Sequence, residues 1–475
     1  MVFSSHIFIF YFLPFFLLVY FLLPFRWKGL YVKNAFITIM SYVFYGWLVP
    51  WFVILMFITT INDYLCGLII SQPGQVEWKR KSALIFAIVT DLSLLAYFKY
   101  YMFFMSEVVN RLAFFLGGGP HAFTIASVLL PSGISFYTFV GLSYTIDVYK
   151  GAAKPARNFS VFSCFVGLFP HLIAGPIIRY RTVADQLDNR VHSIPKFASG
   201  VAIFSLGLGK KIILANSVAA IADAAFGSDG PGFFNAWWGV IAYAFQIYFD
   251  FCGYSDMAVG LARMLGIEFI KNFDGPYQSP SITVFWQKWH ISLTNFIRDY
   301  LYIPLGGNRV GKGRMYFNLC LCFFLSGLWH GAKWTFVLWG IYQGLFLVLE
   351  RVAGKKTLYH ELPHWGQVAI TFIVVMFGWV LFRAPDIGQA MHYWGAMIGT
   401  VKGAATAPML SAELFTPRHL FEMLLCGVFV WQPLQAHEWV RTLTMPKALL
   451  CTVVLVVAIV TMFTQTYNPF LYFQF

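Results

Sequence analysis

Ala448-Leu-Leu-Cys-Thr-Val-Val-Leu-Val-Val-Ala-Ile-Val-Thr-Met-Phe463 runs without a single charge. The stretches Phe8–Phe25 and Val368–Phe382 read the same way. None alternates apolar with polar positions, as barrel strands do over about ten residues. A helix satisfies its own backbone groups in a dry medium, so these runs predict membrane helices. At about 20 residues per span, the chain has room for roughly ten to twelve of them.

The composition agrees. Of 475 residues, 59% are apolar and 11% charged, against about a quarter charged in a soluble domain. Fifty-two Phe, 25 Tyr and 16 Trp make 20% aromatic. No single aqueous core hides that much apolar surface, so the solvent is lipid. A cytosolic enzyme, a disordered chain, a fibrous protein and a disulfide-stapled fold are excluded. The seven cysteines show no Cys-x-x-Cys and sit mostly inside apolar runs, as small buried residues do. The first apolar run has no basic region before it and no small-residue cleavage site after it. It reads as an uncleaved span.

The formal charge of +13 lies in short clusters between apolar runs, near residues 26–28, 79–81, 150–157, 179–196 and 298–314. Short basic loops mark the cytoplasmic side and contact anionic lipid; nucleic acid is not required. A basic cytoplasmic mouth also attracts an anionic substrate. On this rule, outer turns fall near Leu48-Val-Pro50, Gly117-Gly-Gly-Pro120 and Ser228-Asp-Gly-Pro-Gly232, while the Lys355-Lys356 loop lies inside. Residues 159–178 carry Pro170, His171, Gly175 and Pro176 between two basic flanks, which predicts a re-entrant segment. Residues 270–314 mix Trp, Tyr, Pro and charge, which predicts interfacial helices. No internal repeat or second soluble domain is visible. The expectation is one all-α polytopic membrane domain with additional re-entrant and interfacial helices.

Several motifs fail on inspection. His360-Glu-Leu-Pro-His364 spells a zinc-peptidase motif, but Pro363 denies it a helix. Gly207-Leu-Gly-Lys-Lys211 lacks the first Gly and the Ser/Thr of a phosphate loop, leaving Lys210 and Lys211 as snorkelling residues. No G-x-S-x-G elbow occurs, and no metal site is expected.

Three polar features survive. His330, in Ser326-Gly-Leu-Trp-His-Gly-Ala332, sits at the apex of an apolar hairpin between Gly327 and Gly331. A histidine at membrane depth is either functional or hydrogen-bonded between helices. His290, in Trp286-Gln-Lys-Trp-His-Ile-Ser292, is expected on a helix face shared with Trp286, Leu293, Thr294 and Ile297, either at a site or as an interfacial anchor. Gln246, Asp250 and Asp256 punctuate one apolar run, and buried carboxylates need partners, such as Arg298 or a neighbouring helix, or a wet cavity. Asn62, Asp63 and Asp147 read as polar glue between helices.

Taken together, these residues resemble the membrane-bound O-acyltransferases. Within that family they resemble the bacterial branch holding alginate O-acetylation membrane proteins and D-alanyl transfer proteins of teichoic acids. The motifs carrying the resemblance occur in order along nearly the whole chain. They are Met1-Val-Phe-Ser-Ser5, Leu130-Pro-Ser-Gly-Ile-Ser-Phe-Tyr137, Phe169-Pro-His-Leu-Ile-Ala-Gly-Pro176, Tyr248-Phe-Asp-Phe-Cys-Gly-Tyr-Ser-Asp-Met257, Phe285-Trp-Gln-Lys-Trp-His-Ile-Ser-Leu293, Arg298-Asp-Tyr-Leu-Tyr-Ile-Pro-Leu-Gly-Gly-Asn-Arg309 and Gly327-Leu-Trp-His-Gly-Ala332. Cys252 stands where related sequences often have Ser.

The resemblance implies that His330 is the catalytic histidine and His290 a second active-site residue, with a funnel from each face meeting there. Asp250, Tyr254, Asp256, Trp286, Arg298, Asn308 and Trp329 are the expected substrate-binding residues. Val2-Phe-Ser-Ser5 and the Asn308 motif favour acetylation of an exopolysaccharide. The expected donor is cytoplasmic acetyl-CoA, used as substrate with no resident cofactor. The expected location is the bacterial inner membrane, with a periplasmic acceptor protein completing transfer to the polysaccharide. The alternatives are D-alanyl, peptidoglycan or cellulose acyl transfer, or a transporter with a histidine proton relay.

Overall fold

The computed structural model describes residues 1–117, 123, 125–354, 357–432 and 434–465. Most of the expected Gly117–Pro120 turn, and Lys355 and Lys356, lie outside the described residues. The described residues are predominantly helical, and their only β-type pairing is an isolated bridge between Trp27 and Leu30.

Chain contacts define two compact units: residues 1–197 with 261–269, and residues 198–260 with 270–475. In the first unit, the initial apolar run forms π-helical Phe8–Phe12 and then α1 (Leu13–Leu22). Phe8, Phe12, Phe16 and Tyr20 recur every four residues and stack in a ladder, with successive ring centroids 5.5 to 5.9 Å apart. That stripe is buried against Phe44 of α2 (Val32–Tyr45) and against Phe169. The opposite face, including Tyr11, Leu18 and Leu22, is exposed. Apolar side chains carry no penalty where the surroundings are lipid. Next come α3 (Phe52–Ser71), α4 (Glu77–Phe104) and α5 (Ile134–Tyr149). Asp63 and Asp91 meet against Gly141, where a Cβ would collide with the Asp63 carboxylate. Asp147 pairs with Arg181 at 3.6 Å, in keeping with a role between elements. The proline-interrupted segment is broken at Leu168 into α6 (Phe159–Gly167) and a short turn, Phe169–Leu172, buried from Val161 onward.

The remaining principal helices are α7 (Ile194–Gly209), α8 (Gly232–Met264), α9 (Ile282–Lys288), α10 (Ile291–Ile297), α11 (Lys312–His330), α12 (Trp334–Val352), α13 (His364–Arg383) and α14 (Met445–Thr464). Among the described residues, six helical stretches are long and apolar enough to cross a membrane. The α8 and α11 helices, at 33 and 19 residues, are also long but carry Asp250 and Asp256, or Lys312 and Arg314, which dilute their hydropathy. The Asp250 polar face turns inward and is nearly inaccessible, so composition alone undercounts such helices.

The helix break expected at Pro363 is present, and one other expectation is corrected. His360 lies in a turn and Pro363 caps α13, so His360 and His364 do not share a helix, as the proline argument requires. Lys210 and Lys211 do not snorkel. They begin a π-helical stretch, Lys210–Ala215, and turn inward to ion-pair with Asp256 and Asp250, at 2.7 and 2.6 Å.

Candidate active site

The α11–α12 hairpin places His330. No side chain fits where its two helices cross: a Cβ on Gly327 would collide with the Phe336 carbonyl, and one on Gly340 with the Phe323 carbonyl. Small residues let helix backbones touch inside a membrane, where packing replaces the hydrophobic effect. The turn is equally tight, because a Cβ on Gly331 would strike the Phe336 ring. His330 ends α11, half-buried, with its ring against Trp329 (4.9 Å), Trp339 (5.1 Å) and Phe382 (5.1 Å). The last two meet it edge-on and fix the plane of the imidazole.

His290 is not on a continuous helix. α9 stops at Lys288, Trp289 is extended, and His290 adopts φ 46° and ψ 54° before α10 begins. Only Lys28 shares a positive φ among the described non-glycine residues. Such a conformation persists only where its surroundings enforce it, and it gathers at functional sites. Here the enforcing residue is Asn272. Its Oδ1 accepts from the Ser292 backbone N–H (3.1 Å) and the Ser292 hydroxyl (2.9 Å), and lies 3.2 Å from His290 Nδ1. Its Nδ2 donates to Ser255 Oγ at 3.1 Å, and its carbonyl accepts from the Ile291 N–H at 2.9 Å. Since Asn272 Oδ1 is fixed as an acceptor, His290 Nδ1 carries the proton and Nε2 is the basic nitrogen. Burial holds the imidazole well below its ordinary pKa, so it is neutral.

Trp329 joins the two histidines, its ring 6.2 Å from His290 and 4.9 Å from His330. Trp286 lies in the same aromatic group, 5.6 Å from Trp339, and donates to Gln343 Oε1 at 3.3 Å. The structure therefore brings His290, His330, Trp286 and Trp329 together. Other expected binding residues have different placements. Asp250 and Asp256 are engaged by Lys211 and Lys210, and Lys211 also donates to Asn216 at 3.0 Å. The partner in each case is a neighbouring helix rather than Arg298. Tyr254 is buried in α8. Arg298 pairs with Asp299, and the exposed Asn308 accepts from Tyr302. The geometry thus gives Asp250 and Asp256 an ion-pairing role, and turns Arg298 and Asn308 toward partners of their own.

Sequence reasoning missed Asn272 as a site residue, and missed Trp339 and Phe382. It also missed a cavity of about 600 Å³ lined by Asp223, Asp229, Lys333, Arg383, His392 and Tyr393 among others. Lys333 follows the His330 turn directly, and Arg383 follows Phe382, so two residues that line the cavity are chain neighbours of the group around His330. Arg383 is held by Asp223 at 2.6 Å.

A half-buried imidazole at the tip of a membrane hairpin, beside a second, neutral imidazole, provides acid–base groups where a hydroxyl and an acyl carbonyl can meet. A family model described as MBOAT, membrane-bound O-acyltransferase family, matches residues 158–387, which include both histidines. This chain belongs to that family and is a membrane-embedded acyltransferase. It is 39% identical to the "Probable alginate O-acetylase AlgI" of Pseudomonas putida over the whole of both chains. Against the protein of that name from Pseudomonas aeruginosa it is 44% identical, covering 84% of this chain and 75% of the relative. It is also 34% identical to the peptidoglycan O-acetyltransferase of Helicobacter pylori, over 84% of this chain and 80% of the relative.

Proposed function

We propose that this protein takes an acetyl group from cytoplasmic acetyl-CoA and delivers it across the bacterial inner membrane for O-acetylation of an exopolysaccharide, alginate or a close relative of it. The carrying observation is His330, half-buried at a hairpin tip and joined through Trp329 to the buried His290. The full-length likeness to alginate O-acetylases supports the polymer class. His330 acts as general base on the acceptor hydroxyl. As its oxygen attacks the thioester carbonyl, the C–S bond breaks and the proton passes through the imidazole to the departing thiolate. His290, its tautomer set by Asn272, orients the donor by accepting a hydrogen bond at Nε2 from an amide N–H of the arm that carries the thioester. The cavity bounded by Lys333 and Arg383 supports an acceptor approach to His330. The acceptor is a hydroxyl presented by a periplasmic partner protein, which completes transfer to the polysaccharide.

Purified protein incubated with acetyl-labelled acetyl-CoA tests this reading. Label release or transfer to a hydroxyl acceptor is expected from wild type. A protein that carries solute without consuming thioester is a transporter, and the reading fails.

A further inference from the structure

α14 is only 17% buried along its apolar stretch, so protein covers little of it. Val454 packs against Gly209, where a Cβ would come within 2.5 Å, and Gln465 Oε1 accepts from Asn216 Nδ2 at 2.8 Å. Beside these contacts lies a crevice of about 530 Å³, bounded by α7, the π-helical stretch Lys210–Ala215, α8, the helix Pro417–Val430 and α14. Leu206, Ile213, Phe249, Leu425 and Val454 make its walls apolar. At its rim Phe429, Leu434 and Leu450 are 48%, 59% and 50% exposed, so it opens onto the apolar outer surface that faces lipid.

The crevice has a polar end. α14 carries Lys447 at its start and no charge from Ala448 to Thr464. The Lys447 ammonium lies 5.1 Å from the Trp439 ring and donates to the Trp439 carbonyl at 2.7 Å. Tryptophan and lysine gather at headgroup level, which puts Trp439 there and Leu450 and Val454 one and two turns deeper. The buried Gln435 also lines the crevice. Its Oε1 accepts from the Tyr248 hydroxyl at 3.3 Å, while its Nε2 has no hydrogen-bond partner among the described residues. The Trp439 indole N–H has none either. Lys210 uses two of its three donors, on Asp256 and Cys252, at 2.7 and 3.3 Å, and Asp256 already matches its charge. Unused donors beside apolar walls call for a neutral acceptor oxygen on a hydrocarbon chain. The ester carbonyl of an acyl chain is such a group.

We propose that this crevice binds one acyl chain of an ester-linked membrane lipid, with the ester carbonyl accepting at the Gln435–Trp439 end. The chain runs along Leu450 and Val454 and fills the wedge beside α14. None of the residues assigned to acyl transfer takes part. The test measures lipid occupancy alone, so the two readings stand or fall separately.

The full chain is placed in nanodiscs of diacyl phosphatidylcholine doped with the same lipid carrying a diazirine in one chain. After irradiation, labelled residues are mapped by mass spectrometry. Label is expected on Tyr248, Phe249 or Leu214, which line the crevice and are too buried for lipid at the outer surface to reach. Leu450→Trp narrows the crevice and is expected to cut this buried labelling about tenfold. Leu22→Trp, on the exposed face of α1, is expected to leave it unchanged. Wild type supplies an independent check. Dialkyl phosphatidylcholine lacks the carbonyl oxygens and is expected to displace the buried label at least about threefold less well than diacyl lipid. Label confined to Phe429, Leu434 and Leu450 overturns the proposal. So does buried labelling that is undiminished in Leu450→Trp, or equal displacement by the two lipids.

Discussion

Asn272 Oδ1 lies 3.2 Å from His290 Nδ1 while accepting a backbone N–H from Ser292, so one amide sets both the tautomer of the histidine and the chain bend that presents it. Asn272→Ala removes an acceptor for groups that remain buried, at a cost of about 1–3 kcal/mol. The expected outcome is a lowered melting temperature together with at least about tenfold slower thioester cleavage. Asn272→Asp retains the acceptor and is expected to recover part of the rate. Equal rates in wild type and Asn272→Ala would remove Asn272 from the site.

The Lys211–Asp250 contact, at 2.6 Å between two nearly inaccessible side chains, supplies a second prediction. Asp250→Asn strands a buried ammonium, a loss of about 3–5 kcal/mol. Lys211→Met/Asp250→Leu removes both charges and is expected to restore the melting temperature. If acetyl transfer returns with it, Asp250 supports the fold. If stability returns and transfer does not, Asp250 contacts substrate.

These contacts show what the sequence makes legible. Apolar runs such as Ala448–Phe463 declare helices because backbone groups in lipid must pair internally. His330 is equally plain, as a titratable residue at the midpoint of an apolar hairpin. His290 is misread as helical because Trp286–Ser292 has a helical pattern. The break comes from Asn272, eighteen residues earlier, through a contact that no local periodicity encodes. Lys210 and Lys211 are misread for a related reason. At a helix margin a lysine looks like a snorkelling residue, and only the folded chain shows that its partners are Asp256 and Asp250.

The α11–α12 crossing predicts a steric effect. Gly327→Val places a branched side chain where even a Cβ would meet the Phe336 carbonyl. The hairpin must part, displacing His330. Lower protein abundance and faster proteolysis in membranes are expected, while Gly313→Ala, with nothing near its Cβ, serves as a neutral control. Unchanged protease resistance in Gly327→Val would contradict the crossing.

His192 predicts a pH effect. Burial, together with the nearby Lys33, Arg190 and Lys196 cations, pushes its pKa down to about 4. The folded protein therefore favours neutral His192, and the unfolded chain takes up a proton first as the pH falls. The stability this contributes is fully present above about pH 6.5 and is lost as pH drops toward 4. Melting curves across that window are expected to show a shallower acid loss for His192→Gln than for wild type. Identical slopes would exclude His192 as a source of the acid sensitivity.

The central claim is that His330 performs acyl transfer, and its most direct test is polymer acetylation in cells whose only copy of this protein carries His330→Ala. The account predicts that O-acetyl groups on the polysaccharide disappear while the variant is inserted in the membrane at wild-type abundance. Near-normal acetylation at that abundance would contradict it.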